Sequence, residues 1–465
     1  MNKSFHSYVA VTGLILFVTE VLILMASVYL SEVLLFFGTA SIFPVLFPEL
    51  LPQAGAFALV MVTSMAILGM YQLEYREDFR KTTLRLMRSL ALGFGLIVLV
   101  FYWVPDFYFG PAILVIGMLL SMLGIFLTRL IYYRWSNFRQ LKNRVLVLGT
   151  GRMAKGCSDL VEQRSSSDKF QIVGFVPMPN EVSQVIPSLV VSEPGTLMSL
   201  VNRYQINEIV VAVRNRRSEH FSIQELLRCK LNGVRVSDTE TFFEREVGQI
   251  LMGSLQPGWM VFGEGFDQSK LRTSIKLTFD VLASVLLLVV ALPIMLLTAM
   301  CIYIEDRAPV IFRQERVGKN GQRFMVLKFR SMQNDAEKGG KPQWACENDP
   351  RTTKVGRFIR KLRIDELPQI FNVLKGDMSF VGPRPERPYF VEQLSGKIPY
   401  YNIRHTIKPG ITGWAQVRYR YGASVEDAVQ KLQYDLYYVK NNSLLLDLII
   451  LVDTVRVVLF GKGGR

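Results

Sequence analysis

From residue 281 to residue 304 the chain runs VLASVLLLVVALPIMLLTAMCIYI, 24 residues without a charge. As a straight helix this run would be about 36 Å long, enough to cross the hydrocarbon core of a bilayer. Both flanks are basic: Lys270, Arg272 and Lys276 precede it, and Arg307, Arg313, Arg316 and Lys319 follow it. Lys and Arg collect on the cytoplasmic side of a membrane, so a simple span would carry one basic flank, and the charged chain beyond it, to the wrong side. Pro293 sits near the middle, where it removes a backbone hydrogen bond and can kink a helix. The pattern predicts a re-entrant helix–break–helix over about 276–304 that enters and leaves on one face. The alternative is an ordinary span with a proline kink. Backbone freed at membrane depth needs partners from neighbouring protein.

Four apolar runs come earlier, at about residues 8–29, 54–71, 87–104 and 111–133. Each is long enough, or nearly so, for a membrane helix. The first contains Glu20 and lacks a small-residue cleavage site, so it reads as a span rather than a cleaved signal peptide. Connections 30–53 and 105–110 hold no Lys or Arg, whereas Arg76, Arg80, Lys81 and Arg85 lie between the second and third runs and Arg88 lies at the very start of the third. Arg134, Arg139, Lys142 and Arg144 follow the fourth. This asymmetry places the N-terminus and everything after Arg134 in the cytoplasm. The final run, LLLDLIILVDTVRVVLF at 444–460, carries Asp447, Asp453 and Arg456 and reads as an interfacial or packing helix.

Half of the 465 residues are hydrophobic, and 54 Lys and Arg against 39 Asp and Glu leave a formal charge of +15. Part of that charge follows topology; the remainder suits an anionic partner such as a phosphorylated ligand, acidic headgroups or nucleic acid. Cys157, Cys229, Cys301 and Cys346 form no CxxC pair, which argues against a disulfide framework or a zinc site and fits a reducing compartment. His6, His220 and His405 stand alone, and none is expected to bind a transition metal.

The stretch RVLVLGTGRMAKG, 144–156, is a β-like run followed by a GxGxxA turn made by Gly149, Gly151 and Ala154. Such glycines let backbone approach a phosphate at a helix N-terminus. Further β-like runs at 171–176, 208–213 and 234–237 predict a doubly wound α/β domain. The run FQIVGFV ends in Pro177-Met178-Pro179-Asn180, with no acid placed to hold a ribose hydroxyl. A redox cofactor, another nucleotide or regulatory ligand, and a structural domain with a vestigial loop all stay open.

Beyond the long apolar run, residues 318–321 read as a hairpin turn between two strands. Arg313, Arg316, Lys328, Arg330, Arg360, Arg363, Arg384 and Lys408 recur among Gly and Pro turns, a pattern suited to a fixed anion pocket. Within KLRIDELPQIFNVLKGDMSFVGPRPE, Asp365 and Glu366 stand side by side. Pro368 in a first turn and Gly376 at an end frame a helix with Asp365 at or near its N-cap. Consecutive helical positions diverge by roughly 100°, so the two acids would have different jobs. A carboxylate beside cations and a helix N-terminus stays ionised, and can bind Mg²⁺ or attack phosphorus. The rival reading is capping plus surface charge.

From about residue 274 onward the chain resembles the bacterial sugar transferase family, the monotopic phosphoglycosyl transferases. The matching stretches are FRQERVGKNG, KFRSM, RIDELPQIFNVLKGDMSFVGPRP and KPGITGWAQV, in that order. The YRYGASVEDA stretch resembles the branch associated with exopolysaccharide synthesis. The resemblance implies transfer of a sugar 1-phosphate from a UDP-sugar, UDP-glucose or UDP-galactose, to undecaprenyl phosphate, with release of UMP and a requirement for Mg²⁺. It implies Asp365 as nucleophile and Mg²⁺ ligand, Glu366 as its partner in the dyad, and Arg360 and Arg384 as phosphate-binding positions. Lys328 and Arg330 join the substrate-phosphate set. Many relatives continue Asn-Gly-Arg after GWAQV where this chain has Arg418-Tyr419-Arg420, and Arg420 is the nearest equivalent. Lys276, Asp280 and Pro293 match positions of structural weight in the re-entrant helix. The implied partners are sugar nucleotide, polyprenyl phosphate and bilayer rather than nucleic acid, with a homodimer expected of large members.

The expected architecture is an α plus α/β membrane protein at the bacterial inner membrane. A four-helix transmembrane bundle covers 1–137, a Rossmann-like domain 138–245 and a linker 246–273. A C-terminal catalytic domain with a re-entrant helix and amphipathic interfacial helices covers 274–465.

Overall fold

The computed structural model describes residues 4–35, 50–71, 79–138, 143–163, 170–179, 181–191, 195–213, 222–252, 265–266, 269–307, 309–333, 351–419, 422 and 424–460. The fold is mostly helical, with some parallel sheet, and divides into two compact units, Met1–Thr239 and Glu240–Arg465.

The first unit opens with four apolar helices: α1 (Ser4–Leu35), α2 (Leu51–Ile67), α3 (Phe79–Trp103) and α4 (Pro111–Phe138). Their shared core includes Leu24, Val28, Phe57, Met61, Met65, Ile97 and Ile125. The second apolar run makes a helix of only 17 residues, shorter than the run predicted. Its end is a glycine cap: Gly69 turns left-handed (φ +76), and the Met70 N–H donates to the Met65 carbonyl. Buried polar groups in the bundle pair with one another. Arg129 grips Glu20 through Nε–Oε1 at 2.6 Å and Nη2–Oε2 at 3.1 Å, and the Ser27 and Ser121 hydroxyls lie 2.6 Å apart. Apolar surroundings make an unpaired polar group costly, so such groups face inward together.

The same unit holds a parallel sheet of β1 (Asn143–Leu148), β2 (Phe170–Val176), β3 (Glu208–Val211) and β4 (Arg235–Asp238), in the order β2-β1-β3-β4. Helices α5 (Arg152–Gln163), α6 (Leu197–Tyr204) and α7 (Ile223–Leu231) come between the strands in sequence. Val145 to Leu148 and all of β3 are buried, as expected of strands covered on both faces.

The second unit begins with α8 (Thr239–Val247) and α9 (Lys270–Asp306). A hairpin of β5 (Ile311–Val317) and β6 (Arg323–Phe329) follows, turning at Lys319–Gly321 where Asn320 is left-handed (φ +54). Then come α10 (Lys354–Lys361), α11 (Gln369–Lys375), β7 (Ser379–Val381), α12 (Pro388–Lys397) and β8 (Gly410–Thr412), which pairs in parallel with β7. Helices α13 (Trp414–Arg418), α14 (Val425–Asn441) and α15 (Leu444–Phe460) close the unit.

Four helices are long and apolar enough to cross a membrane: Ile15–Leu35, Thr82–Trp103, Pro111–Tyr132 and Lys270–Glu305. The fourth lies in α9, which continues through Pro293 where the sequence pattern predicted a break. Proline deletes one backbone hydrogen bond. Packing on either side of it, through Ala291, Met295 and Ile302 against Phe329 and Ile359, holds the helix together. Val285, Leu286, Val289, Val290, Leu296 and Leu297 on its other surface are exposed. Asp447 and Asp453 of α15 are buried, pairing with Lys276 and Arg418, so α15 packs inward through its charges.

Candidate active site

The site begins at a break in the backbone. α10 is capped at its N-terminus by Thr353, whose hydroxyl accepts from Gly356 N at 2.9 Å. Glu305, at the end of α9, accepts from Lys354 N at 2.8 Å and Val355 N at 3.2 Å. After α10, Arg363 is left-handed (φ +58), and Ile364–Glu366 form a single 3-10 turn before Pro368 leads into α11. The sequence pattern put Asp365 at or near the N-cap of this helix, and it lies three residues before that cap. The cap position is Pro368, and Asp365 makes no capping hydrogen bond among the described residues. In so tight a turn successive side chains diverge by about 120°, and the two acids face different surroundings.

Glu366 faces cations. Its Oε1 is 3.0 Å from Lys328 Nζ on β6, 3.0 Å from Arg384 Nη2 beyond β7, and 3.7 Å from Arg363 Nη1. Asp365, equally buried at 8% exposure, presents an Oδ1 that has no hydrogen-bond partner among the described residues. The environments separate the two acids electrostatically. Burial, reinforced by the neighbouring Glu366 charge, raises the Asp365 carboxyl above its ordinary range. Burial also works against the Glu366 charge, but Lys328, Arg384 and Arg363 outweigh it and hold the carboxyl well below the usual range. The acid that the cations keep ionised is Glu366.

A second tier fixes the cations. Arg404, buried, sits 2.8 Å from Asp435 and donates to the Tyr401 hydroxyl at 2.8 Å and the Arg384 carbonyl at 2.9 Å. Burial lifts Asp435 to about 6 against the pull of Arg404. Arg316 donates to the Pro385 carbonyl at 3.1 Å. Asn372 of α11 accepts from Leu327 N at 3.0 Å and donates to Met325 O at 2.8 Å, locking the 3-10 turn's helix to the strand that carries Lys328. The sequence reading missed Arg404, Asp435 and Asn372. Only an amide within the helical run IFNVLK hinted at one of them.

The structure thus brings Asp365, Glu366, Lys328 and Arg384 together. Arg360 is half-buried on α10 and has no ion pair among the described residues, while Arg330 is buried just past β6, its N–H on the Val310 carbonyl. Arg420 lies outside the described residues. Lys276 Nζ meets Asp447 Oδ2 at 2.6 Å. Asp280 accepts from Ser379 Oγ at 3.1 Å and Phe380 N at 3.2 Å, joining α9 to β7. Gly149, Gly151 and Ala154 belong to the other unit and lead from β1 into α5.

No group of three or more His, Cys, Asp or Glu side chains is arranged to hold a metal among the described residues. A zinc or calcium cage would need such a group. A single buried carboxylate with an unpartnered oxygen, beside cations suited to phosphate, fits Mg²⁺, which binds through one or two carboxylates plus substrate phosphates and water.

The dyad and its cations lie in the unit that also holds the long apolar helix α9. The family model for the bacterial sugar transferases matches residues 271–461, and the chain belongs to that family. It is 44% identical over 240 residues to UDP-N-acetylgalactosamine-undecaprenyl-phosphate N-acetylgalactosaminephosphotransferase of Aeromonas hydrophila, covering 52% of this chain and 56% of that protein. It is 34% identical to UDP-glucose:undecaprenyl-phosphate glucose-1-phosphate transferase of Xanthomonas campestris, over 62% of this chain and 60% of the relative. Against undecaprenyl-phosphate galactose phosphotransferase of Salmonella typhimurium the identity is 30%, over 70% and 69%. The matched part therefore spans little more than half the length of the first two relatives.

Proposed function

We propose that this protein transfers a hexose 1-phosphate from a UDP-sugar to undecaprenyl phosphate, releasing UMP, at the first membrane step of exopolysaccharide synthesis. The observation that carries the reading is the asymmetry of the dyad. Glu366 is committed to Lys328 and Arg384, while the Asp365 Oδ1 beside it has no partner among the described residues. In the first step an Asp365 carboxylate oxygen attacks the β-phosphorus of the UDP-sugar. The Asp–O–P bond forms, the bond from β-phosphorus to the bridging oxygen breaks, and UMP leaves with that electron pair. In the second, a phosphate oxygen of undecaprenyl phosphate attacks the same phosphorus. The bond to Asp365 breaks, leaving the free carboxylate and a diphosphate-linked sugar. A raised carboxyl pKa makes Asp365 a stronger nucleophile once deprotonated, and Lys328 and Arg384 offset anion–anion repulsion between carboxylate and diphosphate. Asp365, together with the substrate's diphosphate, would hold Mg²⁺, which would supply charge neutralisation there. Arg360, Arg330 and Arg420 complete the phosphate-binding set.

The finer architecture belongs to the same proposal. Catalytic elements meet both ends of the apolar helix: Asp280 joins β7 near one end, and Glu305 caps α10 at the other. A helix tied to one domain at both ends supports entry and exit on a single, cytoplasmic face, as the basic flanks require. We assign residues 1–137 to an inner-membrane bundle, 138–245 to a Rossmann-like domain, 246–273 to a linker and 274–465 to the transferase, which acts as a homodimer.

The test is UMP release by the protein in nanodiscs containing undecaprenyl phosphate and Mg²⁺, with UDP-glucose, UDP-galactose and UDP-N-acetylgalactosamine in turn. UMP that disappears with Asp365→Asn supports the reading; UDP in its place overturns it.

A further inference from the structure

The glycine loop of the first unit already has an anion in it. The N–H groups of Thr150 and Gly151 point to Glu181 Oε2, at 2.8 and 3.2 Å. These are the donors that such a loop, at the mouth of a 12-residue helix, offers to a phosphate. Glu181 comes from beyond β2, and its segment is fastened across the loop: Gln184 N donates to the Thr150 carbonyl at 2.8 Å and Ile186 N to Ser158 Oγ of α5 at 3.1 Å. The segment then returns to the sheet, where Val191 N donates to Phe175 O at 2.8 Å. It thereby crosses the carboxyl ends of β2 and β1, beside the point where the strand order reverses between β1 and β3. In sheets of this kind ligands bind in that crevice. The room the glycines leave is taken as well. A Cβ added to Gly151 would lie 3.3 Å from Glu181 Cδ, and one added to Gly149 (φ +116) would meet the Ala212 carbonyl at 2.8 Å and the Glu181 carboxylate at 3.4 Å.

We infer that Glu181 is the built-in occupant of this cradle, an internal carboxylate that stands where a nucleotide phosphate would sit and closes the domain to dinucleotides. A phosphate-bearing ligand gains the loop only by displacing Glu181, and like charge prevents both anions from sharing it. The domain then serves the chain as a folded part with its anion site filled from within, rather than as a nicotinamide or flavin module.

Hydrogen exchange on the full chain in nanodiscs tests this at the Thr150 and Gly151 amides, with inorganic pyrophosphate and ADP as probes. In the wild type these amides are protected, and millimolar probe leaves the protection unchanged. Glu181→Ala raises their exchange by about tenfold or more, the loss expected for a bond to a charged acceptor, and pyrophosphate restores it. Glu181→Gln keeps the side chain's shape without the charge; its amides exchange faster than wild type and respond to pyrophosphate. Exchange over β1 and β3 reports whether each variant is folded, and the Gln variant carries the test if the Ala variant is not. Protection that pyrophosphate or ADP increases in the wild type as much as in the variants overturns the inference. So does a folded variant whose Thr150 and Gly151 amides stay protected without any added anion.

Discussion

Substituting each member of the dyad separates its two roles, because only one of them is an ion-pair partner. Glu366→Gln strips the anion from Lys328 and Arg384, each 3.0 Å away, and from Arg363 at 3.7 Å. Removing one side of a buried pair costs about 3–5 kcal/mol, because the remaining charge is left uncompensated. Lys328 and Arg384 are 21% and 33% exposed, so water partly takes the place of the lost carboxylate and the lower end, about 3 kcal/mol, applies. For a unit of this size that lowers Tm by about 6–12 °C. Asp365→Asn removes no partner and, by the same reasoning, costs less than about 1 kcal/mol while abolishing UMP release. Thermal unfolding and UMP release are measured on the same samples, alongside Lys328→Met and the Lys328→Met/Glu366→Gln double variant. The double variant is expected to lose less than the sum of the singles by about 1–3 kcal/mol, since neither charge is left alone. If Asp365→Asn destabilises as much as Glu366→Gln, or the double variant is additive, the assignment of Glu366 as the cations' anchor and Asp365 as the uncommitted carboxylate is wrong.

Burial and the adjacent Arg404 press the His405 imidazole down from 6.5 to about 4. The unfolded chain therefore binds the extra proton first, and stability falls as pH drops from about 6.5 towards 4, by at most about 3 kcal/mol. Asp435 at about 6 acts in the opposite sense, so the comparison that isolates His405 is wild type against His405→Gln, whose stability difference should change with pH inside this window and level off on either side of it. Gly382→Ala puts a Cβ into the Lys408 carbonyl and the Gly410 N–H, separating β7 from β8; loss of cooperative unfolding or of soluble expression checks it. Asp280→Ala leaves the Phe380 N–H and the Ser379 hydroxyl without their acceptor and should cost about 1–3 kcal/mol by thermal unfolding. Chelation by EDTA should stop UMP release and added Mg²⁺ should restore it, with the folded fraction by circular dichroism unchanged, because no described side-chain cage depends on the ion.

Much of this protein is determined by local sequence. Apolar length set three N-terminal helices and α9, the GxGxxA spacing set the turn from β1 into α5, and the Gly318–Gly321 punctuation set the β5–β6 hairpin, because each follows from periodicity or from backbone freedom over a few residues. The Asp-Glu pair was legible as a site for the same reason: two adjacent acids downstream of clustered basic residues stand out in a one-dimensional pattern. What the pair does was not. Arg363 turning left-handed sends Asp365 and Glu366 apart, and Lys328 reaches Glu366 from 38 residues away and Arg384 from 18. Arg404, from a stretch with no signal of its own, holds the carbonyl of Arg384. The continuity of α9 through Pro293 was likewise decided by packing of Met295 and Ile302, which no local rule contains. The seating of Glu181 on the glycine loop depended on a segment folding back across the sheet. Sequence fixes what each segment can be over a few turns; which charge meets which is decided by distance in three dimensions, where Coulomb energy and desolvation act.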